Sequence, residues 1–219
     1  MSELYKMLVE VVDNSKDIEY LVESPNNDGK KTYKLKGPFI MCENKNRNGR
    51  VYRKDIMRKA VKEYTENFIN KKRACSSIDH PNSPTLLFKD AATLTESLVE
   101  DGDNFFGVCK VLSNPNGAFL KSLMDDGILI SISTRGLGNC DSNGYVNENY
   151  KLLANDVVID PSATNAVLES ITENYRYTFD GNIVTQIAIE NLQEDLSKHG
   201  SRNAEEDLRK FLNRLRRSL

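Results

Sequence analysis

Tryptophan is absent from this sequence, and histidine is nearly absent, with only His80 and His199 among 219 residues. Four cysteines are present, but none forms a Cys-x-x-Cys pair or lies at metal-site spacing from a histidine. Structural zinc sites are built from such closely spaced ligands. We therefore expect no metal site, no cofactor and four free thiols.

The sequence also lacks an excess of either charge and any long apolar run. Its 30 basic residues nearly balance 32 acidic residues, for a formal net charge of -2. This balance favours neither nucleic acid nor a membrane surface as a partner. No segment approaches the roughly 20 apolar residues of a membrane helix, and the charged N-terminus has no signal-peptide core. We expect a soluble protein of a reducing compartment, without stable membrane insertion.

Helical and strand periodicities divide the chain near residue 163. Before it, strands are predicted over 6–12, 32–42, 73–80, 91–100, 105–112, 127–138 and 151–159. Helices are predicted over 53–68 and after Asn114, which can cap a helix N-terminus. Residues 164–219 are predicted to be a polar linker and a helical tail, with helices over 184–196 and 202–217.

The strand over 127–138 carries the most informative pattern, because strand side chains alternate between two faces. One face is predicted to lie in the core and holds Ile128, Ile130 and Ile132. The other face holds Leu129, Ser131, Ser133 and Arg135. Two hydroxyls and a guanidinium beside a glycine-rich turn suit a nucleophile with hydrogen-bond donors nearby. The segment alone is explained better as a half-buried strand with a polar outer face.

A hydroxyl nucleophile needs a base, and only two histidines are available. His199 lies in a polar helix break and is interpreted as an exposed loop residue. His80 ends a predicted strand in Asp79-His-Pro81, where a locally hydrogen-bonded histidine is the simplest explanation. The scarcity of histidine therefore makes His80 the candidate base if the chain is such an enzyme.

The base in turn needs a third group that holds its tautomer. Asp79 neighbours His80 in a strand and should face away from it. Asp156 lies in an otherwise apolar strand, where a buried carboxylate requires a partner, although a solvated strand-end acid explains it equally well. The parity of the strand leaves Ser131 and Ser133 both open as nucleophile, since both point to the same face.

The turn Asn46-Arg-Asn-Gly-Arg-Val-Tyr52 is dense in hydrogen-bond donors and precedes the helix predicted over 53–68. It could bind a phosphate or an acidic peptide, or it could be a solvated turn whose polar groups cap the helix. Composition does not separate these interpretations.

Taken together, these pieces resemble the prohead core serine proteases of T-even-type tailed bacteriophages, which are distantly related to herpesvirus maturational proteases. The motifs occur in the family's order over residues 40–163, and Thr134 stands where the family has a second serine. The matching motifs are Asn46-Arg-Asn-Gly-Arg-Val-Tyr52, Asp79-His-Pro81, Ser133-Thr-Arg-Gly-Leu-Gly138 and, more weakly, Asn155-Asp-Val-Val-Ile-Asp-Pro-Ser-Ala163. With the periodicities, the resemblance implies an α+β protease domain over 1–163. We expect a small antiparallel β-barrel-like core flanked by helices, followed by the C-terminal helical tail.

The resemblance implies a serine endopeptidase that acts inside the immature capsid, within the host cytoplasm. There it would degrade the internal scaffold and trim capsid proteins, which are the expected partners together with further copies of the chain in a homo-oligomer. The resemblance assigns His80 as general base, Ser133 as nucleophile and Asp156 as third member of a triad. The backbone N–H groups of Arg135 and Gly136 are the expected oxyanion donors.

The resemblance further implies cleavage after glutamate in Leu/Ile-x-Glu sites and activation by self-cleavage. Such triplets occur at Leu8-Val-Glu10, Ile171-Thr-Glu173 and Leu192-Gln-Glu194, and also at Leu21-Val-Glu23 and Leu98-Val-Glu100. Termini and polar linkers are accessible to proteases. We therefore predict self-cleavage after Glu10 and after Glu173, with residues 1–10 as an N-terminal propeptide.

Two other classes of function stay open. A structural capsid or tail component could keep the fold without the chemistry, and it predicts that Ser133 and His80 lie beyond hydrogen-bond reach. A cysteine hydrolase could pair His80 with Cys75 or Cys140, and it predicts inhibition by thiol alkylation.

Overall fold

The computed structural model describes residues 4–10, 16–23, 31–159, 175–180 and 183–188. Within them, the strands are β1 Lys6–Val9, β2 Glu19–Glu23, β3 Thr32–Met41, β4 Cys75–Ser77, β5 Ala91–Asp101, β6 Asn104–Val111, β7 Ser131–Gly138, β8 Lys151–Val158, β9 Tyr175–Asp180 and β10 Ile183–Ala188. The α-helices are α1 Lys54–Tyr64 and α2 Pro115–Asp125. No helix in these ranges is long and apolar enough to cross a membrane.

The strands divide among three sheets, which confirms a mixed α and β fold dominated by strands. A five-stranded sheet has the order β2-β3-β6-β5-β4, a three-stranded sheet has the order β1-β7-β8, and β9 pairs with β10. The described residues form no closed barrel in place of the predicted β-barrel-like core, because closure requires each edge strand to pair. Here the edge strand β4 forms no ladder with β8, and an isolated bridge joins Ile78, just after β4, to Val157.

The central hairpin and the two helices agree with the sequence predictions. β5 and β6 meet at Asp101 and Asn104 around Gly102, whose φ of 57° suits the tight turn. Helix α1 buries one apolar stripe formed by Ile56, Met57, Ala60, Val61 and Tyr64. At the start of α2, the Asn114 side chain accepts the Gly117 N–H at 2.8 Å, which satisfies a free helix-end donor.

The central strand of the three-stranded sheet, β7, has antiparallel neighbours on both sides. Ile130 and Ile132 are buried, but Ile128 is 37% exposed, so its predicted core position is wrong. The reason is that β7 begins only at Ser131, and Ile128 follows the turn made by Gly127 with a φ of 75°. Strand alternation therefore does not extend back to Ile128.

The helix predicted over 184–196 is wrong for residues 184–188, which belong to β10. Ile183, Val184, Thr185 and Ile187 are β-branched and favour a strand. The preceding Asp180-Gly181 is a hairpin signal that periodicity alone did not weigh. Tyr177 of β9 exchanges two backbone hydrogen bonds with Tyr5, so β9 packs beside β1. The rest of this predicted helix, and the one over 202–217, lie outside the described residues.

Candidate active site

The position of His80 follows from the way the chain leaves β4. Ile78 forms a parallel bridge with Val157 of β8, and the Asp79 N–H donates to the Val157 carbonyl at 2.8 Å. Asp79 has a φ of 58°, a left-handed conformation that aspartate tolerates better than most residues. This turn places His80 beside Asp156, which neighbours Val157 in β8.

Three side chains predicted from the sequence are brought together here. The Nε2 atom of His80 lies 2.8 Å from the Ser133 Oγ, and its Nδ1 atom lies 2.8 Å from the Asp156 Oδ2. Ser133 and Asp156 are direct partners across β7 and β8. All three residues are buried. This is the arrangement of a nucleophile, a base and an acid that orients the base.

The carboxyl group of Asp156 is held by several donors besides His80. The Arg135 Nε donates to its Oδ2 at 2.8 Å, and the Ser77 N–H donates to its Oδ1 at 3.2 Å. Burial by itself would raise the pKa of Asp156, but the Arg135 guanidinium and the His80 ring outweigh burial and hold that pKa below its usual value. Asp156 is therefore ionised and can accept the His80 Nδ1–H.

Arg135 extends this network to the loop that follows His80. Its side chain is 1% exposed, and its Nη1 donates to the carbonyls of Ser83 at 3.1 Å and Pro84 at 2.6 Å. The guanidinium therefore supports Asp156 and ties the loop after His80 to the sheet. The oxyanion role expected for the backbone N–H groups of Arg135 and Gly136 stays a prediction.

The structure separates the two serines that strand parity could not distinguish. Ser131 is also buried on β7, but within the described part of the chain its Oγ has no hydrogen-bond partner. Ser131 lies opposite Val158, whereas Ser133 lies opposite Asp156. Only Ser133 is therefore in register with the acid and in contact with His80. His199 lies outside the described residues.

The N-terminal segment reaches the same site. The Ser133 Oγ donates to the Glu10 carbonyl oxygen at 2.6 Å, and the Glu10 N–H donates to the Thr134 carbonyl at 2.9 Å. The single hydroxyl proton of Ser133 can serve either Glu10 or His80 at one time. Glu10 is 3% exposed, so the accessible terminus assumed from the sequence is wrong. The segment is instead a strand seated against β7.

The Glu10 side chain lies in a pocket of its own. The Thr134 hydroxyl donates to its Oε2 at 2.9 Å. Burial raises the pKa of Glu10 to about 7, although Thr134 and the Met41 backbone act in the opposite direction. The pocket therefore holds glutamic acid in its neutral form below that pH.

Comparison with known proteins identifies the family to which this site belongs. The family model described as "Prohead core protein serine protease" matches residues 7–176. The chain belongs to this family. It is 34% identical over 149 residues to the prohead core protein protease of Enterobacteria phage T4, and the alignment covers 64% of this chain and 70% of that protein.

A solved structure gives the same relationship for this prohead protease. The bacteriophage T4 capsid assembly protease superposes with a TM-score of 0.64 at 28% sequence identity, covering 70% of this chain and 98% of that chain. The ordered motifs over residues 40–163 are thus confirmed as a family resemblance, and the chain is a protease of the T4 prohead type.

Several contacts in the site of this prohead protease were not predicted, among them those of the Arg135 guanidinium with Asp156 and the loop after His80. Ser77 donates from its backbone to Asp156, and Thr134 donates to Glu10. Strand alternation could have indicated the role of Thr134, because Thr134 faces away from Ser133 and so contacts residues on the other side of the sheet. No local pattern indicates Ser77, because the interacting residues are 79 positions apart in the chain.

Proposed function

We propose that the chain is a serine endopeptidase of phage head maturation, with Ser133 as nucleophile, His80 as general base and Asp156 as the acid that orients the base. The observation that carries the proposal is the buried hydrogen-bonded chain through these three side chains, with both contacts at 2.8 Å. Membership of the prohead protease family supports peptide hydrolysis as the reaction.

The reaction follows acyl-enzyme chemistry. His80 takes the hydroxyl proton of Ser133 as the Ser133 Oγ attacks the scissile carbonyl carbon. His80 then donates that proton to the leaving amine. Water hydrolyses the acyl-enzyme with His80 again acting as base. Asp156 stays ionised throughout and stabilises the imidazolium. Backbone N–H groups at Arg135 and Gly136 remain the proposed oxyanion donors, and one such donor is typically worth roughly 3–4 kcal/mol.

We infer that the N-terminal segment is the enzyme's own first substrate, cut between Glu10 and Val11. In support, β1 adds to β7 as an antiparallel strand, which is how extended peptides bind a sheet edge. In this position the Glu10 carbonyl oxygen lies 2.6 Å from the Ser133 Oγ. Cleavage would remove residues 1–10. The second proposed cut, after Glu173, lies outside the described residues.

The substrates in trans are proposed to be scaffold core and capsid proteins with Leu/Ile-x-Glu sites, inside the immature capsid of an infected cell. The related T4 proteins are described as a prohead core protein protease and as a capsid assembly protease, which supports this class of substrate and this location. Assembly of the protease as a homo-oligomer stays a prediction.

The two alternative functions agree less well with the geometry. A protein without the chemistry would not need Ser133 and His80 in contact, yet their atoms are 2.8 Å apart. A cysteine nucleophile needs an accessible thiolate, whereas burial raises the pKa of both Cys75 and Cys140. The geometry therefore favours the serine mechanism.

Self-cleavage can be followed by intact mass. We expect freshly synthesised full-length chain to lose residues 1–10 with time, and then the part of the chain after Glu173. Thiol alkylation should leave the rate unchanged, whereas a serine-directed fluorophosphonate should stop cleavage and label Ser133. If neither cut occurs and no Leu-x-Glu peptide is hydrolysed, the proposed function is wrong.

Asp156→Asn should lower kcat by about 10⁴-fold, because the amide keeps the shape but favours the wrong histidine tautomer. The measurement is steady-state hydrolysis of a Leu-x-Glu peptide. Asp126→Asn, an exposed residue at the end of α2, is the matched control and should keep wild-type activity. Equal activity of the two variants would show that Asp156 does not orient the base.

A further inference from the structure

The turn over residues 46–50 has a fixed shape, although its role was open from the sequence. The Asn46 Oδ1 accepts the backbone N–H groups of Asn48 at 3.1 Å and Arg50 at 2.9 Å. The Asn46 N–H donates to the Arg50 carbonyl at 2.8 Å, which closes the turn. Gly49 has a φ of 74°, a conformation that glycine adopts without strain.

A second loop holds this turn from behind. The Val51 N–H donates to the Gly144 carbonyl at 2.9 Å, and the Val146 N–H donates to the Val51 carbonyl at 3.0 Å. A Cβ on Gly144 would lie 2.4 Å from the Gly49 carbonyl oxygen, so the two loops are in direct contact. The side chains of the turn therefore project from a supported backbone.

Two of these side chains converge on one carbonyl oxygen of the N-terminal segment. The Asn48 Nδ2 donates to the Val9 carbonyl at 3.0 Å, and the Arg50 Nη1 donates to the same oxygen at 3.1 Å. Val9 directly precedes Glu10, the residue whose carbonyl contacts Ser133. Because a main-chain carbonyl is present in every peptide, these donors can hold any extended substrate regardless of its side chains.

The face of β7 that carries Thr134, opposite to that of Ser133, contacts the side chains of residues 8 and 10, because alternate residues of a strand share a face. Thr134 donates to the Glu10 carboxyl there, and Leu8 is buried in the main core cluster. Tyr150 packs closely on this face, since a Cβ on Gly136 would lie 2.4 Å from the Tyr150 ring. Val9, between them, faces the other side. This face of β7 therefore contacts the side chains of residues 8 and 10 but not that of residue 9.

We propose that Asn48 and Arg50 form a backbone clamp for the residue that precedes the cleaved glutamate, and that Thr134 is the residue that recognises the glutamate side chain. The expected ligand is an extended peptide of Leu-x-Glu type, represented here by residues 8–10. This inference rests on the proposed cleavage after Glu10, and it assigns the specificity of the same site to particular side chains.

The test measures docking without cleavage. In the Ser133→Ala chain, hydrogen exchange of the amides of residues 5–10 reports how firmly the segment is bound. Adding Arg50→Met should speed their exchange roughly 10-fold to 100-fold, because a charged donor to a carbonyl is lost. Adding Asn48→Ala should speed it by a smaller factor. Lys45→Met removes the same charge from the residue just before the turn and should change exchange less than about twofold.

Recognition of glutamate is tested by a double-mutant cycle in the same background. Thr134→Val keeps the shape and removes the hydroxyl, so exchange of residues 5–10 should rise roughly 10-fold. In a Glu10→Met chain, Thr134→Val should have no such effect, because methionine offers no carboxyl to bind. An equal effect in both backgrounds would show a general packing role and overturn the assignment of Thr134.

The last part of the test measures self-cleavage in the full chain that keeps Ser133. The chain is made by cell-free synthesis, and its cleavage is followed by intact mass. Arg50→Met and Thr134→Val should each slow the cut after Glu10, whereas Lys45→Met should leave its rate unchanged. If these variants and Lys45→Met all cut and exchange like the parent chain, the clamp and the pocket are wrong while the protease stands. If the Ser133→Ala chain cuts itself, the proposed function fails instead.

Discussion

Ser133→Ala is expected to lower kcat for a Leu-x-Glu peptide by roughly 10⁶-fold, the loss seen when a triad serine is removed. The methyl group leaves the neighbouring packing in place but removes the oxygen that lies 2.8 Å from His80 and 2.6 Å from the Glu10 carbonyl. The variant chain should also keep residues 1–10 attached. Peptide products resolved by liquid chromatography and mass spectrometry measure the first effect, and intact mass measures the second.

Ser131→Ala is the matched control for this experiment. Ser131 lies two positions earlier on β7, points to the same face and is equally buried, but its Oγ contacts no hydrogen-bond partner among the described residues. We expect wild-type activity. Cleavage by Ser133→Ala at the wild-type rate would remove the mechanism, and loss of activity in both variants would indicate a folding defect of the strand.

Arg135→Met should destabilise the fold by about 3–5 kcal/mol, because it leaves the buried Asp156 carboxylate without its main counter-charge. The Arg135 Nε lies 2.8 Å from Asp156, and both side chains are at most 1% exposed. Chemical denaturation measures the free energy of unfolding. An unchanged denaturation midpoint would contradict the prediction, because it would show that a well-packed methionine replaces Arg135 without loss of stability.

Arg58→Met is the control for the charge itself. Arg58 makes two hydrogen bonds of 2.8 Å to Glu100 on the protein surface. Exposed ion pairs contribute little to stability, because water and salt screen them, so Arg58→Met should lower the free energy of unfolding far less than Arg135→Met. Equal losses from Arg58→Met and Arg135→Met would show that burial of the Asp156 pair is not what matters.

The Arg135→Met penalty should depend on pH in a defined direction. In the parent chain the pKa of Asp156 lies below its usual value, so its contribution to stability is present above the unfolded-state pKa and is lost as pH falls through the folded-state pKa. Without Arg135, a main cause of the lowered pKa is lost, so the pKa of Asp156 rises toward the unfolded-state value. The difference in stability between variant and parent should therefore be largest near neutral pH and should shrink in acid.

Much of the site could be predicted from the sequence, because the patterns that indicate it are local or involve a rare residue type. Alternation along β7 put Ser133 and Arg135 on one face, and the low histidine count left His80 as the candidate base. Asp156 stood out as a carboxylate in an apolar strand. The hairpin of β5 and β6 and the cap at Asn114 follow from turn and capping chemistry, which also acts over a few residues.

The wrong predictions share a physical cause, which is that tertiary pairing overrode a local pattern. Glu10 was expected to be accessible because it lies near a terminus, but pairing of β1 with β7 buries it. Ile128 fits the alternation of a strand that starts only three residues later. The strand β10 was mistaken for a helix because its apolar spacing fits both periods.

By itself, the sequence determined which chemical groups were available and which face of β7 carried them. Strand parity could not choose between Ser131 and Ser133, because residues two apart on a strand point the same way, and only the family resemblance favoured Ser133. The tertiary structure supplies the physical reason, which is the register that sets Ser133 opposite Asp156 and Ser131 opposite Val158. Ser133 and Asp156 lie 53 and 76 positions from His80 in the chain. Their contact depends on strand pairing, which no local pattern specifies.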